Sequence, residues 1–60
     1  MKFEVIYIFN NQKGSYYIEV KPTNLSLAEI KYSIDYQLKR YLNFDFTKDT
    51  LEIISRRRLN

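Results

Sequence analysis

Residues 2–10 read KFEVIYIFN, with Phe3, Val5, Tyr7 and Phe9 at odd positions and Ile6 and Ile8 at even ones. β-Branched and aromatic residues at this density predict a strand. Apolar side chains on both sides predict that the strand is central, or covered on both faces. The rest of the chain has to be arranged around it.

Asn11-Gln12-Lys13-Gly14 follows, and Gly14 is the only glycine. A left-handed glycine closing a type I turn is a common hairpin connection, so a second strand is expected over 15–22. Tyr16, Ile18 and Val20 then share one face, and Tyr17, Glu19 and Lys21 the other. Pro22 lacks an N–H and ends that strand or marks an edge. Two registers are open. A bulge at Gly14 pairs Ile8 with Ile18 and Ile6 with Val20, leaving Phe3, Val5, Tyr7, Phe9 and Tyr17 together on the opposite face. A two-residue turn pairs Tyr7 with Ile18 and Val5 with Val20. A one-residue slip exchanges the buried and exposed sets, and the position of Gly14 favours the bulge.

Ser26-Leu27-Ala28-Glu29 has the S-x-x-E form of a capping box, with Leu25 and Ile30 placed as a hydrophobic staple. Leu27, Ile30, Ile34, Leu38 and Tyr41 recur at spacings of three and four, which predicts a helix over 27–42 with one apolar stripe. Lys39 and Arg40 suit its C-terminal dipole, and Asn43 is placed as a left-handed stop. A last strand is expected over 50–56, followed by a basic tail over 56–60.

Short connections make the strands antiparallel, with the first in the middle. The expected fold is α+β, β-β-α-β: a three-stranded antiparallel sheet of order 2-1-3 with one helix on one face. Sixty residues make one domain with a marginal core. No Cys or His is present to supply a disulfide or zinc staple. Good packing or a homodimer is left to stabilise it. Tyr and Phe together supply ten of the sixty residues and 45% are hydrophobic, which argues against disorder. No segment resembles a signal peptide or a bilayer span of ~20 apolar residues. The expected location is the cytoplasm, that of a host cell if the chain is phage-encoded, with no membrane partner.

Catalysis is not expected. Ser15, Ser26, Ser33 and Ser55 have no His partner and no nucleophile-elbow motif. The carboxylates are scattered, and one glycine cannot build a phosphate-cradling loop. No cofactor and no metal is expected. Three surfaces could bind a partner. On the outer side of the helix, Tyr32, Tyr36, Lys39 and Arg40 lie together at 100° per residue. They form either a self-stabilising helix face or a contact ridge. In the bulged register the uncovered sheet face carries Tyr7, Phe9 and Tyr17, which fits a dimer interface first, a protein groove second and base stacking third. Arg56, Arg57 and Arg58 would alternate sides in a strand. In a frayed tail they could join Lys39 and Arg40 as a basic corner.

Gly14, Tyr16-Tyr17, Leu25-Ser26-Leu27 and a closing strand around Leu51 to Leu59 resemble the small Bacillus-phage inhibitors of uracil-DNA glycosylase. That resemblance covers most of the chain as element order and a few residues as sequence. It implies a homodimer that occupies the enzyme's DNA-binding cleft, with an apolar pocket for a projecting enzyme side chain. The charge departs from the family, whose members are acidic and imitate DNA; this chain is +3. The leading expectation is a non-enzymatic phage or mobile-element inhibitor or adaptor that docks on a host protein, such as a DNA-processing or defence enzyme. The alternative is a basic nucleic-acid-binding module that uses aromatic and Arg/Lys contacts.

Overall fold

The computed structural model describes residues 1–21 and 24–59. The chain reverses at Asn10 and Asn11, which both hold the left-handed backbone, with φ of 49° and 67°. Two consecutive positive φ values make the tight turn whose twist matches its flanking strands, and Asn tolerates that conformation better than most residues with a side chain. β1 (Lys2–Phe9) and β2 (Gln12–Glu19) therefore pair with Phe9 opposite Gln12, Tyr7 opposite Gly14, Val5 opposite Tyr16 and Phe3 opposite Ile18. Neither register expected from a turn closed by Gly14 occurs. β2 starts at residue 12 instead of 15 because the turn is finished before Gly14 is reached. The expected role of Pro22 lies outside the described residues.

Gly14 has no positive φ. It is needed for space: the Tyr7 ring lies across it, and a Cβ there would sit 2.6 Å from the Tyr7 hydroxyl oxygen and 2.7 Å from its Cζ.

This register decides which side of the sheet is buried. Phe3, Val5 and Tyr7 point to the same side as Ile18 and Val20, and Ile34 and Leu38 of the helix close the core over them. Phe9 and Tyr16 pack at its margin. The expectation that Phe3, Val5, Tyr7, Phe9 and Tyr17 share the uncovered face is overturned. The first four are turned toward the helix, and only Tyr17 remains on the open side.

α1 (Leu27–Leu42) has the ends the sequence predicts. The Glu29 backbone N–H donates to the Ser26 hydroxyl oxygen at 3.2 Å, and the Ser26 N–H donates to the Glu29 carboxylate at 3.0 Å. Asn43 stops the helix at φ 54°, its N–H donating to the Arg40 carbonyl. The apolar stripe is narrower than expected. Leu27 is exposed; it lies in the first turn, and Leu25 and Ile30 pack against the core margin. Tyr41 is half exposed but stacks on Tyr16, with ring centroids 3.9 Å apart.

β3 (Leu51–Arg58) runs antiparallel along the other side of β1, giving the order β2-β1-β3. A bulge at Ile54 separates the Tyr7–Ile53 pair from the Ile6–Ser55 pair. The strand extends through Arg58, so Arg56, Arg57 and Arg58 are strand residues and not a tail; Asn60 lies outside the described residues. Asn10 ties the hairpin to the start of β3. Its side-chain oxygen accepts from the Thr50 N–H at 2.9 Å, and its amide donates to Asp49 at 3.0 Å. No helix among the described residues is long and apolar enough to cross a membrane.

Candidate docking surface on the helix

The 3.6-residue period of α1 sends Ile34 and Leu38 into the core, and so turns Tyr32, Tyr36, Lys39 and Arg40 outward. Tyr32 and Tyr36 are 72% and 50% exposed, one turn apart, with rings stacked at 6.3 Å and 16°. The Arg40 guanidinium lies 5.9 Å from the Tyr36 ring centroid. The Lys39 ammonium lies 5.5 Å from the ring of Phe44, the first residue after the helix cap. Both distances are within cation–π range. Tyr36, Lys39, Arg40, Asn43 and Phe44 line an open cleft of about 390 Å³ at the helix C-terminus.

The electrostatics of this face follow from where its carboxylates go. Asp35 is engaged by Arg56 in a two-pronged ion pair, with Nε–Oδ1 at 3.0 Å and Nη2–Oδ2 at 3.1 Å, which clasps α1 to β3. Glu29 is held below the usual carboxylate range by the Ser26 backbone N–H and then by the Ser26 hydroxyl. Among the described residues, no carboxylate lies within ion-pair distance of Lys39 or Arg40. The ridge is thus aromatic and positively charged, with two cations positioned on rings and no internal anion to neutralise them.

The structure separates the other expected site residues. Tyr7 is 8% exposed and belongs to the core. Phe9 is half-buried at the core margin on the helix side, so neither is placed to meet a partner from the open sheet face. Tyr17 is on that face, 65% exposed, with its hydroxyl 3.5 Å from Glu4. The three arginines alternate. Arg56 turns to the helix side and is committed to Asp35. Arg57 turns to the open face and pairs with Glu4 at 2.8 Å. Arg58 lies opposite Phe3, on the helix side. No basic corner unites Arg56 and Arg57 with Lys39 and Arg40. Phe44 is the ridge residue that the sequence reading misses. The left-handed cap at Asn43, legible in the sequence, is the signal that places it back against the last helical turn.

Comparison with protein-family models, with curated proteins and with solved structures finds no match to this chain.

Proposed function

We propose that this chain is a non-catalytic binding module that docks on a protein partner through the outer face of α1. The observation that carries this reading is the exposed Tyr32–Tyr36 stack, flanked by Arg40 on Tyr36 and Lys39 on Phe44. Tyrosine and arginine dominate the energetics of protein interfaces because they bury a large, rigid area and still hydrogen-bond. Stacking fixes the rings before a partner arrives, which lowers the ordering cost of association. Cations without internal partners call for a partner surface that carries carboxylates.

The role we propose is that of a small inhibitor or adaptor of a phage or mobile element, with a host DNA-processing or defence enzyme as target. The enzyme class comes from the sequence resemblance to the glycosylase inhibitors. The docking mode differs from imitation of DNA, because the ridge is cationic.

A nucleic-acid reading is favoured by Lys39 and Arg40 beside exposed rings. It is weakened by the fate of the other cations: Arg56 and Arg57 are spent on Asp35 and Glu4, which leaves few charges on one face for phosphates.

Affinity capture from a nuclease-treated host lysate separates these readings. The expected result is one stoichiometric protein recovered by the native chain. The affinity should fall by about 2 kcal/mol, roughly 30-fold, in Tyr36→Ala and in Arg40→Glu. Recovery of nucleic acid alone without nuclease, or protein capture indifferent to both substitutions, would contradict the proposal.

A further inference from the structure

The open face of the sheet carries its own pattern, independent of the ridge on the opposite side. The register lays it out in rows across β2, β1 and β3. One row is Lys13, Ile8, Glu52; the next is Ser15, Ile6, Ser55, with the bulged Ile54 between the two rows; the third is Tyr17, Glu4, Arg57. Ile54 is 50% exposed, and Ile6 and Ile8 are only partly covered. Ile6 and Ile8 form an apolar strip down the middle of a face that no other part of the described chain covers, and Ile54 lies beside them on the edge strand β3.

The charges beside the strip are arranged as opposites about β1. Lys13 and Glu52 are both exposed, and among the described residues neither has an ion-pair partner. They stand on opposite edges of the sheet, two strand spacings apart, about 9–10 Å, too far to pair with each other directly.

We infer that two copies of this chain pack these faces together about a two-fold axis that lies in the interface and runs along β1. Such an axis exchanges the β2 side with the β3 side. Lys13 of one copy then meets Glu52 of the other, twice over. Tyr17 meets Arg57 of the second copy, ring against guanidinium, and Ile6 and Ile8 lie against their own images. Glu4 falls on the axis, where its charge is already compensated by Arg57 of its own chain at 2.8 Å. The other in-plane axis, across the strands through the Ile6 row, pairs Glu52 with Arg57 but sets Ile8 on Glu4 and leaves Lys13 without an anion. Only the first of these two arrangements pairs Lys13 with an anion and lays isoleucine on isoleucine; being two-fold, it is an isologous contact that closes at two copies.

The patch is small. Three strands about 4.8 Å apart and about five residues of ~3.3 Å each give two copies a buried surface of at most about 1,000 Å² in total, below the usual range for specific interfaces. A contact of this size belongs with weak, concentration-dependent association and not with an obligate dimer.

Sedimentation equilibrium of the full chain from about 1 µM to about 500 µM tests this, with circular dichroism to check folding. The expected mass moves from 7.3 kDa toward twice that value across the series. Lys13→Glu and Glu52→Lys each weaken association about tenfold by replacing two attractive pairs with two repulsive ones. The double exchange Lys13→Glu/Glu52→Lys restores it. Ile54→Glu, at a half-exposed position that keeps the core intact, abolishes it. A folded chain that stays monomeric throughout overturns the inference, as does a dimer indifferent to Ile54→Glu or a double exchange that fails to restore association. None of these outcomes bears on the helix ridge, which faces away from the sheet.

Discussion

Gly14 and the asparagine pair decide the architecture between them, and for different reasons. Asn10 and Asn11 supply the left-handed turn; Gly14, three residues on, supplies room for the Tyr7 ring. Adding one methyl at Gly14 puts it within 2.6–2.9 Å of three Tyr7 atoms. That ring is held by the core and cannot swing aside freely. Gly14→Ala is therefore expected to lower stability by about 1–3 kcal/mol, as overpacking does. Asn11→Gly is expected to be neutral or mildly stabilising, within about 1 kcal/mol, because glycine suits a positive φ better still. Urea denaturation of both variants checks the pair. A large loss in Asn11→Gly would place the turn elsewhere.

At the level of elements, the helix was legible to the residue and the hairpin was not. Ser26, Glu29 and Asn43 are local signals whose meaning does not depend on the rest of the chain, so 27–42 could be read directly. The same period placed Tyr32, Tyr36, Lys39 and Arg40 on one outer face. A strand's register is set by its turn, and there the lone glycine outweighed the less conspicuous Asn10-Asn11 pair. The resulting displacement exchanged the faces of β1 and put Tyr7 and Phe9 on the wrong side. By charge alone Arg56-Arg57-Arg58 reads as a solvated tail, whereas Asp35 and Glu4 provide partners for Arg56 and Arg57 in the strand.

The element junctions also contribute to the acid response. Asp45 is held below its ordinary 3.8 by the Thr47 hydroxyl and backbone N–H, Asp49 by the Asn10 amide and the Asp45 N–H, and Glu29 below 4.5 by Ser26. Each binds its proton more weakly in the folded chain than in the unfolded one. Their stabilisation is complete above the ordinary values and is lost as pH falls through them toward the lower folded values. Tm is expected to be insensitive to these groups above about pH 5.5 and to fall below about pH 4.5, with a shallower fall in Glu29→Gln. A fall in that variant as steep as in the native chain would deny Glu29 its part.

The whole molecule is a two-layer domain with two different outer faces, a cationic aromatic ridge on the helix and an isoleucine strip with opposed charges on the sheet. In the inferred dimer the sheets meet and the ridges point outward, so one assembly offers two docking surfaces. The most direct test of the docking reading is amide chemical-shift mapping by NMR with the captured partner added. The expected result is perturbation concentrated at Tyr32, Tyr36, Lys39, Arg40 and Phe44, with Ile6, Ile8 and Ser15 unmoved. Perturbation centred on the strands, with the outer helix positions silent, would contradict it.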